Sequence, residues 1–89
     1  MQTKRVKIEG KVQGVYFRAS AKQKAMNLGV QGFVKNETDG SVVMEIEGKQ
    51  QDVDSMVEWC NNGPALARVK NVHIENTAQR NFVNFEIKK

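Results

Sequence analysis

Two hydrophobic periodicities meet in the stretch Gly10–Arg18, which reads GKVQGVYFR. Before it, Val6, Ile8, Gly10 and Val12 alternate with Arg5, Lys7, Glu9 and Lys11, the period-2 pattern of a strand with one buried face. After it, Phe17, Ala21, Ala25 and Leu28 recur at helical spacing while Lys22, Gln23, Lys24 and Asn27 face outward. A chain that changes period so abruptly must turn sharply, and Gly10 and Gly14 supply the backbone freedom. The turn lets successive N–H groups converge on one point, an anion cradle. Arg18 stands at the mouth of the helix, where a planar guanidinium and the positive end of the helix dipole both favour phosphate.

Gly29 fits a left-handed cap ending helix one. Val30 to Asn36 returns to a short strand, and Asp39-Gly40 is a strong hairpin signal leading into strand three, Ser41 to Glu47. Beyond a turn at Gly48, Val53, Met56, Val57 and Cys60 lie at i, i+3, i+4 and i+7, an amphipathic helix ending near Asn62-Gly63-Pro64. Ala67 to Asn76 reads as strand four. Val69, Val72 and Ile74 break its alternation once, which predicts a bulge near Lys70 or Asn71. Asn76 to Asn81 is a polar loop, and Val83, Phe85 and Ile87 form a last short strand.

This order predicts one α+β domain over residues 1–89. It is the ferredoxin-like split β-α-β arrangement: an antiparallel sheet, two helices on one face, and an extra short C-terminal strand. A crossover helix makes strands one and two parallel, so their C-terminal ends share one end of the sheet. Arg18 follows the first of those ends and Asn36 sits at the second.

Composition excludes several function classes. Hydrophobic residues at 39% and charged residues at 27% describe an ordinary globular chain. There is no long apolar run, and the basic Met1–Lys7 segment lacks the apolar stretch of a signal peptide, so no membrane association and a cytoplasmic location are expected. One cysteine and one histidine build neither a disulfide framework nor a protein-only zinc site. The net charge of +4 favours anionic partners, but the lysines are dispersed among acids without a block of like charge. Strands one and three carry Val6, Ile8, Val42, Met44 and Ile46 and no aromatic pair, so the base-stacking platform of an RNA-recognition sheet is missing and no nucleic acid is expected.

The cradle holds no Ser, Thr, Cys, His, Asp or Glu to serve as nucleophile, acid or base, and it lacks the Lys-Ser/Thr ending of a Walker loop. Such a site gives little help to a poor leaving group. It suits a phosphoryl group whose leaving group departs unaided, by cancelling phosphate charge and positioning a water. A carboxylate leaving from an acyl phosphate meets that condition, and the Asn36 amide, both donor and acceptor, is suited to hold the water.

The run Ile8-Glu9-Gly10-Lys11-Val12-Gln13-Gly14-Val15-Tyr16-Phe17-Arg18 and the run Gly32-Phe33-Val34-Lys35-Asn36 through Gly40, Val42 and Gly48 resemble the two signatures of the acylphosphatase family. The resemblance extends over the whole chain. It implies hydrolysis of a carboxyl–phosphate bond, with Arg18 binding the phosphoryl group, the backbone amides of Gln13, Gly14, Val15, Tyr16 and Phe17 completing the cradle, and Asn36 orienting the water. It implies no metal or organic cofactor, a small acyl phosphate as substrate, and inorganic phosphate as product and competitive inhibitor; a monomer is expected. Phe17 lies on the apolar stripe of helix one and is read as core. Cys60 is read as core too, His73 as structural or solvated, and Lys35 as a solvated strand lysine. Trp59 either flanks the core or lies at the surface.

Overall fold

A computed structural model describes residues 1–89. The elements follow the expected order: β1 (Gln2–Lys11), α1 (Phe17–Leu28), β2 (Gln31–Asn36), β3 (Val42–Gly48), α2 (Gln50–Cys60), β4 (Arg68–Asn76) and β5 (Phe85–Lys88). The five strands form one sheet in the order β4-β1-β3-β2-β5. β1 and β2 both run antiparallel to β3 between them, and are therefore parallel to each other. β5 joins the far side of β2 in parallel, so the sheet is antiparallel except at that edge.

Alternation along the strands sorts the two faces. Val6 of β1, Met44 of β3 and Val34 of β2 lie in one cross-strand row and are fully buried. The next row is Ile8, Val42 and Asn36, so Asn36 shares the face of Val34 at the end of the sheet. Both helices cover this face, α2 over β1 and β3, and α1 over β2 and β5. Phe17, Ala21 and Ala25 of α1 and Val53, Met56 and Cys60 of α2 are its buried stripes. Each larger apolar side chain removed from water contributes about 1.5 to 3 kcal/mol. Trp59 is half-buried and packs on Phe17 with ring centroids 5.3 Å apart, flanking the core.

The bulge falls where the broken alternation placed it. Glu9 pairs with Asn71 and Gly10 with Val69, leaving Lys70 as the extra residue. Gly10 makes this possible, since at φ 131° a Cβ there would lie 2.1 Å from the Arg68 carbonyl oxygen.

The opposite face is not left bare. The segment 77–84 connects the two outer strands and lies against this face of β3 and β2; it takes in the expected polar loop up to Asn81 and also Val83, which was expected in the last strand but lies exposed before β5 begins at Phe85. Arg80 pairs with Glu45 at 3.1 Å, and the Phe82 ring meets Phe33 edge-on at 6.0 Å. The Glu47 carboxylate, fully buried, accepts the amides of Arg80 at 2.7 Å, Phe82 at 2.9 Å and Asn81 at 3.3 Å, together with the Thr3 hydroxyl.

Candidate active site

The turn between β1 and α1 alternates in hand. Gly14 has φ 74° and Tyr16 φ 63°, with Val15 at negative φ between them and Phe17 entering the helix. Alternation of this kind directs neighbouring N–H groups toward a common concavity. Gly14 suits its position because nothing but a Cβ opposes a left-handed conformation.

The start of α1 adds to this. Tyr16 occupies the N-cap without a side-chain cap hydrogen bond, and the first turn contains no acidic residue. The first helical bond runs from the Ser20 amide to the Tyr16 carbonyl at 3.0 Å, leaving the amides of Phe17, Arg18 and Ala19 without an intrahelical acceptor. An uncapped, uncompensated helix start favours an anion.

These residues open onto a cavity of about 480 Å³ lined by Val12, Gly14, Tyr16, Phe17, Arg18, Ala19, Asn36, Ile87 and Lys89. Arg18 and Asn36, eighteen positions apart, are thus brought to one site by the parallel relation of β1 and β2. The lining carries two cationic side chains and no carboxylate, histidine or thiol. One guanidinium nitrogen of Arg18 donates at 3.5 Å to the Lys88 carbonyl of β5.

Five of the seven residues singled out from the sequence line this cavity, namely Gly14, Tyr16, Phe17, Arg18 and Asn36. Gln13 and Val15 do not. The Gln13 amide donates to the carbonyls of Glu37 at 2.8 Å and Ser41 at 2.9 Å, tying the turn to the β2–β3 hairpin. The Val15 side chain is buried in the core beneath the turn. These two side chains hold the turn in shape rather than line the cavity.

Sequence reasoning missed four of the lining residues, Val12, Ala19, Ile87 and Lys89. An uncapped first helical turn was the available signal for Ala19. Ile87 and Lys89 carried none, because only the position of β5 beside β2 brings them there.

The remaining candidates lie elsewhere. His73 on β4 sits 2.9 Å from Glu9, whose carboxyl is lowered chiefly by that hydrogen bond. Lys35 pairs with Glu37 at 3.7 Å. The Cys60 thiol is pushed up to about 12 by burial, which makes it inert. Nowhere do three or more His, Cys, Asp or Glu side chains gather closely enough to hold a metal ion. No helix is long and apolar enough to cross a membrane.

An α+β sandwich whose helix start, glycine turn and single arginine share a cavity free of acids defines a class of anion-binding, phosphate-sized sites. The family model for acylphosphatase matches residues 4–87. An acylphosphatase from Rubrobacter xylanophilus is 49% identical over 76 residues, covering 83% of this chain and 69% of that protein. Among solved structures, an acylphosphatase from Coxiella burnetii superposes with a TM-score of 0.95 at 34% identity, covering 98% of this chain and 92% of the other. Acylphosphatase from Bacillus subtilis gives 0.96 at 30% identity with full coverage of both chains. The chain belongs to the acylphosphatase family and is a hydrolase of acyl phosphates.

Proposed function

We propose that Arg18 and the backbone amides of the Gln13–Phe17 turn, extended into the first turn of α1, hold the phosphoryl group, and that Asn36 positions the attacking water. The single observation that carries this reading is the convergence of Gly14, Arg18 and Asn36 on one cavity. Water attacks phosphorus as the bond to the acyl oxygen breaks. The carboxylate leaves with the bonding electron pair, and the proton of the water passes to the phosphate and solvent.

A carboxylate is a weak base, so its departure needs no protonation, consistent with a cavity without acids. The phosphoryl oxygens carry the charge of a loose transition state, and the fixed donors at the helix start stabilise it without reorganising. The Asn36 carbonyl oxygen accepts a hydrogen bond from the water while its amide group donates to a phosphoryl oxygen. The substrate is a small acyl phosphate, inorganic phosphate is a competitive inhibitor, and the site is complete within one chain.

Steady-state hydrolysis of acetyl phosphate tests the roles. Asn36→Ala should lower kcat by about a hundredfold or more, the usual cost of one preorganised group, with the inhibition constant of phosphate changed much less. Arg18→Ala should impair both, since a charge-assisted contact contributes about 1.5 to 3 kcal/mol. Parental kcat in Asn36→Ala would exclude water positioning, and loss of activity in chelator would exclude the metal-free mechanism.

A further inference from the structure

An acyl phosphate is a mixed anhydride with two electrophilic centres, the phosphorus and the carbonyl carbon joined to it through a bridging oxygen. The arrangement of Gly14, Arg18 and Asn36 serves the phosphorus. The same cavity of about 480 Å³ is lined by a single primary amine, that of Lys89, and amines attack carbonyl carbon.

The fold leaves that amine free. Phe85 is buried under α1, Ile87 lines the cavity, and Lys89 follows them with the same parity along the chain. Lys88, with opposite parity, lies over the Phe33 ring at 4.4 Å. Lys7 is held by Asp39 at 2.9 Å and Lys35 by Glu37 at 3.7 Å, whereas Lys89 is exposed and forms no ion pair. No carboxylate in the cavity engages it. An untethered four-carbon stem lets the amine sweep the space beside the bound phosphate. Confining amine and anhydride to one cavity gives a higher effective concentration than a surface lysine meets in solution.

We propose that Lys89 is a self-acylation site, which takes the acyl group from a minority of the acyl phosphate molecules bound in the cavity. The inference rests on the assignment of the phosphoryl-binding groups given above. The unprotonated Nζ attacks the carbonyl carbon, a C–N bond forms, and the C–O bond to the phosphate breaks. Inorganic phosphate leaves with the bonding electron pair, and the proton on the attacking nitrogen passes to solvent. The product is an amide, so the cavity keeps Arg18 as its one cationic side chain and holds phosphate less tightly. Sustained exposure to substrate thereby lowers the affinity of the enzyme for it.

The test incubates the protein with acetyl phosphate, replenished as it is consumed, in mildly alkaline buffer, and follows acetylation of each lysine by peptide mass spectrometry. Lys89 should be labelled about tenfold or more faster than Lys49 and Lys70, which are exposed, unpaired and outside the cavity. Saturating inorganic phosphate should suppress the Lys89 label and leave the other two unchanged. Asn36→Ala, in which bound substrate survives longer, should gain label at Lys89, and Arg18→Ala should bring Lys89 down to the surface rate. The labelled parent should show a several-fold higher KM, a rise that Lys89→Arg, with its charge kept and no amine to acylate, should not develop. Labelling of Lys89 no faster than that of Lys49 and Lys70, or undiminished by phosphate, would overturn the site, and an unchanged KM in the labelled protein would overturn its effect on affinity. Failure of the underlying assignment would instead appear as undiminished acetyl phosphate hydrolysis in Arg18→Ala.

Discussion

Phe17 belongs to the core by its side chain and to the site by its backbone. Its ring is 2% exposed and stacks obliquely on Trp59, while its amide is one of three at the start of α1 without a helical acceptor. Gly63 is packed so closely that a Cβ there would lie 2.5 Å from the ring. The core thereby fixes where the cradle stands. Phe17→Ala should destabilise the fold by about 3 to 5 kcal/mol, read as a lower urea midpoint. Phe17 was legible as a core residue from the spacing of Phe17, Ala21 and Ala25 alone. Its share in the cavity was legible only from the family signature, since periodicity describes side chains and says nothing of a free amide.

Among the elements, the segment 77–84 departs most from expectation. A polar loop over Asn76 to Asn81 predicts solvent, yet the segment binds a buried carboxylate through its own backbone. Burial alone would raise the Glu47 carboxyl, but the Thr3 hydroxyl and the amides of Arg80, Phe82 and Asn81 hold it below the usual carboxylate value. A carboxyl depressed on folding contributes stability that is present above its unfolded value and lost as pH falls through its folded one. Glu47→Gln should therefore cost about 2 kcal/mol at neutral pH, by weakening charge-assisted bonds to a buried acceptor, and should flatten the acid limb of stability against pH. Asp39 acts in the same sense. It is held well below the carboxylate range by the hydroxyl and amide of Ser41 and then by Lys7, which keeps the hairpin turn closed in mild acid. Asp39 was legible as a turn residue because its main partner, Ser41, is two positions away, whereas Glu47 gave no sign in the sequence because its partners are brought close only by the fold.

For the molecule as a whole, the net charge of +4 and a cavity without acidic side chains favour anion binding by the folded state, while the unfolded chain has no such cavity. A ligand that binds only the native state stabilises it by about 2.7 kcal/mol at a hundred times its Kd. Inorganic phosphate at that concentration should accordingly raise Tm by roughly 15 °C for a domain of this size, and Arg18→Ala should remove most of the shift. Sulfate, with the same shape, should produce a smaller shift of the same sign, and uncharged glycerol at equal concentration should not reproduce it.

By itself the amino-acid sequence determined the element order, the face of the sheet that the two helices bury, a bulge near Lys70 or Asn71, the sharp turn between β1 and α1, and the placing of Arg18 and Asn36 at one end of the sheet. All of these follow from local periodicity, from glycine placement and from the handedness of a crossover, which act over short stretches of chain. Only the tertiary structure decided that β5 lies parallel to β2, that Ile87 and Lys89 reach the cavity, and that Glu47 anchors the segment crossing the far face. A four-residue edge strand has too few side chains to declare a partner, and a buried carboxylate is stable only once distant amides have converged on it.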